Sequence, residues 1–339
     1  MDTYILGIES SCDETACSVV KNGRTVLSNI ISSQIDIHAK FGGVVPEIAS
    51  RNHTLAIEHV VSLALKEANI TMSEITAIGV TYGAGLLGAL LVGVSFAKGL
   101  AYKYNKPLYG VSHIHGHIAA NYIDSGLEPP YLCLLVSGGH TAIIEVEDYT
   151  RHKLFCQSRD DAVGEAYDKV GRVLGLRYPG GPEIQRVATG VKGTIKLPKI
   201  KIDKQNPFFS YSGLKTHIMN LINKYNQKGK EIPVADIAAS FQESANTQLR
   251  DMLSFAIEKT GYKKIAIAGG VSANLNLREK MDVYKEKGIE VFYPKLIYCT
   301  DNASMIPSAT YFYIQSGIQP STLELDACAN VPLDFIHVK

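Results

Sequence analysis

The opening stretch YILGIESSCDETACSVVKNGRTVLSNIIS has apolar runs broken by turn residues, with alternating apolar and polar positions in its second run. The pattern predicts a strand, a tight turn at Ser10 to Glu14, a second strand, an Asn-Gly turn at Asn22 and Gly23, and a third strand. The period then changes, because VVPEIASRNHTLAIEHVVSLALKEAN carries its apolar residues at helical spacing. A strand at AIGVTY, a helix from Leu86 to about Tyr104 and a strand at PLYGVS follow.

The same order returns further along. YLCLLVSGGHTAIIEVEDYTRHKLFCQS reads as strand, small-residue turn, strand, turn, strand. After a helical region come a strand at KKIAIAGG, a helix from about Ala273 and a strand at EVFYP. Two such halves, offset by about 130 residues, predict an internally duplicated α/β protein with mixed sheets flanked by helices and a ligand cleft between its lobes. Unrelated α/β periodicity in the two halves is the simpler alternative.

Composition narrows this picture only in part. The chain has 339 residues, 46% hydrophobic and 20% charged, with a formal net charge of +1. That is ordinary for a globular protein, and the charge neither predicts nor excludes a nucleic-acid partner. The most apolar stretch, GAGLLGALLVGVSFAKGLAY, is rich in Gly and Ala and contains Lys98, so it reads as a buried helix rather than a membrane span. MDTYILGIESS has no basic region ahead of its apolar residues, and a cytoplasmic protein is expected. The six cysteines form no C-x-x-C pair, which argues against a zinc ribbon and against a disulfide framework.

Between the halves, Lys192, Lys196, Lys199, Lys201 and Lys204 cluster with a single acid, Asp203. Either a surface for a phosphate backbone or an edge strand protected by lysines gives this pattern.

Three small-residue loops suggest a nucleotide. Ser137, Gly138 and Gly139 stand at a turn between two strands, where adjacent glycines let backbone N–H groups approach an anion. Gly269 and Gly270 end a buried strand just ahead of a helix, and Gly180 and Gly181 lie just upstream of another. Neither a G-x-G-x-x-G spacing nor a following G-K-[ST] is present at the strand-to-helix loop, so it is neither a dinucleotide fingerprint nor a Walker loop. Three ordinary turns would place the same glycines.

The histidines of SHIHGHIAANY are the candidate metal ligands. On a helix His113 and His117 share a face and His115 points away. Two imidazoles need an acidic third ligand, and CTDNASMI offers Asp301 at the start of another helix. No H-E-x-x-H peptidase motif is present. Histidines that merely cap and pack the helix are the alternative.

GIESSCDETACSVV, GGVVPEIASRNH, SHIHGH, LVSGGHT, GEAYDKVGRVLGLRYPGGP, FSYSGLKT, ASFQ, AGGVSAN and CTDNASMI, in this order, resemble the bacterial TsaD family of tRNA threonylcarbamoyladenosine transferases across nearly the whole chain. The resemblance implies the two-lobed actin, sugar kinase and Hsp70-like fold, with an N-terminal lobe at 1–128 joined by about 307–339 and a C-terminal lobe at 129–306. It implies transfer of threonylcarbamoyl from threonylcarbamoyl-AMP to N6 of adenosine 37 of tRNAs reading codons that start with A, with release of AMP. It also implies a divalent metal, Fe2+ or Zn2+, on His113, His117 and Asp301, and an adenine nucleotide (threonylcarbamoyl-AMP, or ATP or ADP) in the cleft. The loop Val136, Ser137, Gly138, Gly139 and His140 would contact the intermediate, with Asp168, Gly181 and Asn274 around its ribose and adenine. By analogy with the fold's first phosphate loop, Asp13 and Glu14 face the same cleft, and with His140 they are the candidate general bases, the two acids ranked first. tRNA and the proteins TsaB and TsaE are the implied partners.

Three positions depart from the family pattern. His115 stands where many members have Glu, Ala84 replaces the usual Pro, and Gln185 stands where many have an Asp that touches the ribose. A neutral amide can still bond a hydroxyl. A metal-dependent glycopeptidase and an ATP-binding, chaperone-like module are the rival functions.

Overall fold

A computed structural model describes residues 2–199 and 201–336. It divides into two compact units, one of Met1–Pro130, Val146–Lys153 and Pro294–Lys339, the other of Tyr131–Glu145 and Leu154–Tyr293.

In the first unit the strands are β1 (Tyr4–Glu9), β2 (Glu14–Lys21), β3 (Thr25–Ser33), β4 (Ala77–Gly83) and β5 (Leu108–Ser112). The helices are α1 (Ile35–Ala39), α2 (Pro46–Ala68), α3 (Leu87–Tyr104) and α4 (His113–Ala119). The sheet order is β3-β2-β1-β4-β5. β1 and β2 are antiparallel, as are β2 and β3, whereas β1, β4 and β5 run parallel. Crossover helices α2 and α3 supply the long connections that parallel neighbours need. Leu6, Ile8, Val19, Ile78 and Val80 of the strands pack with Ile57, Val60, Val94 and Ala97 of these helices to form the core.

The second unit contains β6 (Tyr131–Val136), β7 (Thr141–Asp148), β8 (Arg151–Gln157), α5 (Val163–Val173), α6 (Gly180–Ala188), α7 (Ser212–Gln227), α8 (Val234–Thr260), β9 (Lys264–Ala268), α9 (Leu275–Asp282) and β10 (Glu290–Phe292). The tip of the β7–β8 hairpin belongs to the first unit, as do α10 (Met305–Gln315) and the short β11 (Phe335–Ile336), which pairs with β8 at Arg151 and His152. The sheet order is β10-β9-β6-β7-β8-β11, with β6, β9 and β10 parallel. Its core gathers Leu132, Leu134, Tyr167, Phe209, Phe241, Leu249 and Ile267, all buried. Two mixed sheets flanked by helices are thus present, each with three strands, then two helices in the first unit and four in the second, then strand, helix, strand.

Two details differ from the sequence expectations. The chain returns to the first unit at Pro294, ahead of about 307, because α10 packs against β1, β4 and α4 and draws its preceding loop with it. Gly7 and Gly79 permit that packing, since a Cβ on either would come within 2.1 Å of Pro307 or Thr310. The lysine-rich segment around 192–204 is no edge strand, because among the described residues it forms neither helix nor strand.

Candidate functional site

β5 ends in Ser112 and α4 begins at once with His113, so the helix projects His113 and His117 from one face. Their rings meet edge to face, with centroids 4.5 Å apart. Asp301 lies in the loop four residues before α10 rather than at that helix's first residue. Its Oδ1 is 3.5 Å from His113 Nε2 and 3.2 Å from His117 Nε2. One ligand atom from each of the three residues lies within 4.8 Å of the others. Two imidazole nitrogens and one carboxylate, largely shielded from water, suit Zn2+ or Fe2+ better than Mg2+ or Ca2+. His117 Nδ1 is buried with no hydrogen-bond partner among the described residues, so this ring is not committed to the protein on that side.

A residue the sequence reading passes over anchors the pair. Glu9 closes β1 and is 1% exposed. Its Oε1 accepts from Ser11 N at 2.6 Å, and its Oε2 accepts from Thr81 Oγ1 at 2.5 Å and lies 3.1 Å from His113 Nδ1. A carboxylate at the end of an otherwise apolar strand was the available signal. Burial opposes charge on His113, but Asp301 and Glu9 outweigh it and push its pKa up to about 9. Burial likewise favours a neutral Asp301, yet His113 and His117 hold its carboxyl far below the usual carboxylate range. The mutual stabilisation of one anion and its imidazole neighbours is what a cation would replace.

Asp13 and Glu14 sit in the same unit. Asp13 is buried, and its carbonyl accepts from Gln34 N at 3.0 Å. Burial, reinforced by Asp301 and Asp13, pushes Glu14 up to about 10. The loop between β1 and β2 is pinned from α2 by His53. Its Nε2 donates to the Cys12 carbonyl at 2.9 Å, which leaves Nδ1 to accept from Thr15 Oγ1 at 2.7 Å. Burial lowers the His53 pKa, consistent with this neutral tautomer.

The three small-residue loops all belong to the second unit. Val136 ends β6, and Ser137 to His140 make the tight turn into β7, with Ser137 N bonded to the His140 carbonyl at 2.8 Å and His140 N to Ser137 Oγ at 3.1 Å. A Cβ on Gly138, Gly139 or Gly181 would meet nothing within 4 Å, so their backbones lie open to a ligand. Gly164 supports the first loop from below, because a Cβ there would lie 2.5 Å from the Ser137 carbonyl oxygen. Gly269 adopts φ 89° and passes equally close to Val136. Gly180 is the first residue of α6 rather than upstream of it, and its N–H donates to Asp168 Oδ1 at 2.7 Å.

Asn274 and Gln185 already have protein partners. Asn274 caps α9 by accepting from Leu277 N at 2.9 Å, accepts from Asn246 at 3.0 Å and donates to Gln242 Oε1 at 2.9 Å. Gln185 Oε1 accepts from Leu275 N at 2.8 Å. In this structure both amides shape the start of α9, Gln242 of the ASFQ motif joins the network, and Asn246 extends it beyond what the motifs single out.

The fold resembles that of two proteins of known structure. Full-length HypF, solved in its phosphate- and nucleotide-bound form, aligns with a TM-score of 0.62 at 13% identity, covering 93% of this chain and 46% of that one. Component A of the (R)-2-hydroxyglutaryl-CoA dehydratase of Acidaminococcus fermentans aligns at 0.55 and 15% identity, covering 93% and 99%. The class is therefore the actin, sugar kinase and Hsp70-like fold, here with a His-His-Asp group able to bind a metal. The family model for TsaD, tRNA N6-adenosine threonylcarbamoyltransferase, matches residues 25–308. The tRNA N6-adenosine threonylcarbamoyltransferase of Clostridium novyi (strain NT) is 55% identical over 337 residues, 98% of each chain. That of Clostridium perfringens (strain SM101 / Type A) is 54% identical over 332 residues, 97% of this chain and 98% of the relative. The chain belongs to the TsaD family and is a tRNA-modifying transferase. Among the described residues no helix is long and apolar enough to cross a membrane.

Proposed function

We propose that the chain transfers the threonylcarbamoyl group of threonylcarbamoyl-AMP to N6 of adenosine 37 in tRNAs that read codons starting with A. In this step N6 forms a bond to the carbamoyl carbon, the bond from that carbon to the phosphate oxygen breaks, AMP leaves, and N6 gives up one proton. The observation that carries the reading is near full-length identity to transferases of this name, joined to open glycine backbones suited to an anionic nucleotide.

Ser137 to His140 would take the phosphate and acyl end of the intermediate, where successive N–H groups favour an anion. Gly181 would let the ribose approach α6. Asp168, already bonded to Gly180 N, would fix that helix start beside the ribose. Asn274 and Gln185 would reach the adenosine only by exchanging a partner or using spare amide capacity.

His113, His117 and Asp301 would hold one divalent ion, Fe2+ or Zn2+. Bound there, such an ion supplies a Lewis acid or an anchor for the threonylcarbamoyl oxygens. Asp13 and Glu14 would be the candidate proton acceptors for N6, and the pKa of Glu14, pushed up to about 10 by burial and Asp301 in the metal-free chain, weighs against Glu14 in that role unless a cation offsets Asp301.

tRNA, TsaB and TsaE are the proposed partners and the cytoplasm the proposed location. With a net charge of +1, the chain leaves partner proteins to contribute part of the surface for a polyanion. Labelled threonine, bicarbonate and ATP, supplied with the enzyme that makes the intermediate and with these partners, should yield modified adenosine in tRNA. Absence of label from tRNA under conditions where threonylcarbamoyl-AMP accumulates would refute the reading.

A further inference from the structure

From Thr189 to Tyr211 the chain crosses the second unit with neither helix nor strand among its described residues, apart from one isolated bridge at Phe209. Irregular stretches of this length inside a compact unit are usually either functional or loose linkers. This one is tied down: Thr194 N and Oγ1 bond the Asp236 carboxylate at 2.7 and 2.6 Å, and Ile195 N bonds Ser240 Oγ at 3.1 Å. Ile195, Leu197 and Ile202 pack against the core, while Lys192, Lys196, Lys199, Lys201 and Lys204 are exposed.

Among the described residues none of these five lysines makes an ion pair, whereas the nearby acids are engaged elsewhere. Glu243 pairs with Lys280 and Asp251 with Arg250, each at 2.6 Å, and Asp203 turns its carboxylate onto the backbone N–H groups of Gln205 and Asn206. Lys196 and Lys199 also border a groove of about 700 Å³ between this segment and α8, lined by Ser244, Thr247, Gln248 and Arg250 and by the paired acids Glu243 and Asp251. Gln248 Nε2 is buried there without a hydrogen-bond partner among the described residues. A lysine-guarded edge strand would need a strand, and the segment has none. Unpaired cations held on a pinned backbone beside a polar groove are the arrangement that a chain of phosphates neutralises.

We propose that this lysine segment and its groove bind the phosphodiester backbone of the tRNA substrate. The inference rests on the proposed use of tRNA and assigns a surface to it. Phosphate contacts position a nucleic acid without reading its sequence, so the effect should fall on affinity and salt dependence rather than on chemistry.

The test is a tRNA titration of the full, metal-loaded chain with its partner proteins, comparing wild type with Lys196→Ala/Lys199→Ala/Lys201→Ala. The triple variant should bind at least about tenfold more weakly, with a log K against log salt slope shallower by about two to three, roughly one per lost phosphate contact. Its KM for tRNA should rise while kcat, AMP binding, metal content and melting temperature stay at wild-type values. Wild-type affinity and slope in the variant would overturn the assignment. An equal loss on removing three exposed lysines of the first unit, Lys40, Lys66 and Lys103, would overturn it too. If wild type itself binds no tRNA, the underlying reading fails together with this one.

Discussion

Glu9 Oε2 lies 3.1 Å from His113 Nδ1, and His113 Nε2 faces Asp301 Oδ1 at 3.5 Å. One ring therefore joins the end of β1 to the loop before α10. A carboxylate that receives the far N–H of a ligating histidine fixes its tautomer and raises its basicity. Glu9→Gln keeps the shape and removes the charge, and it should lower metal affinity by about 10- to 100-fold. A competition titration against a chelating dye measures this. Wild-type affinity in the variant would show that Glu9 does not orient the ligand.

Metal binding should also consume alkali. In the metal-free protein His113 has its pKa raised from 6.5 to about 9, so its protonated form stabilises the fold fully below pH 6.5. That contribution is lost as pH rises through about 9. A metal ion needs the neutral ring, so its binding near neutral pH displaces a proton. Apparent affinity should climb by up to about tenfold per pH unit between 6.5 and 9 and flatten above. Chelated protein should lose melting temperature across this window, and metal-loaded protein should hold it. An affinity independent of pH over this range would contradict the assignment of the proton to His113.

Much of this site is legible from periodicity and small residues, because both follow from local geometry. Apolar runs bounded by turn residues mark β1 and β2, which are buried on both faces, and the i, i+4 spacing of His113 and His117 needs only one turn of helix. Contacts made across long separations leave a weaker trace. Nothing local says that Glu9 will meet residue 113, and a charge ending an apolar strand is readable only once its partner is in place. Asn274 reads as a ligand contact from its motif, whereas Asn246 and Gln242, on one buried face of α8, occupy its amide. The lysine segment leaves both of its readings open until the sheet order excludes an edge strand.

The glycines around the first loop of the second unit should respond differently to the same change. Gly164→Ala places a Cβ 2.5 Å from the Ser137 carbonyl oxygen and 2.9 Å from Gly138 Cα, so backbone must shift. About 1–3 kcal/mol of stability should be lost. Gly138→Ala meets nothing within 4 Å and has no left-handed φ, so its fold should change by less than about 0.5 kcal/mol. Its methyl group would instead occupy the space offered to the nucleotide, and AMP affinity should fall about tenfold, a loss of about 1.4 kcal/mol. Urea denaturation and calorimetric titration of both variants separate the two effects. Unchanged AMP binding in Gly138→Ala would remove this loop from the nucleotide site.

His115 tests whether the third histidine belongs to the metal. Its ring turns away from His113 and His117, shares a 2.5 Å hydrogen bond with Tyr313 Oη through Nδ1, and meets His152 edge to face at 4.6 Å. All three side chains are buried. Burial, reinforced by His152, drives the His115 pKa well below 6.5, so it stays neutral and fills core. His115→Ala removes the bond to Tyr313 Oη and opens a cavity in the core, which should cost about 2–5 kcal/mol, the range for large-to-small core substitutions. Metal stoichiometry should remain one ion per chain, with affinity within a few-fold of wild type, because His113, His117 and Asp301 keep their places. Metal analysis of the purified variant, paired with its denaturation midpoint, decides the point: loss of the ion from a protein that remains folded would make His115 a ligand.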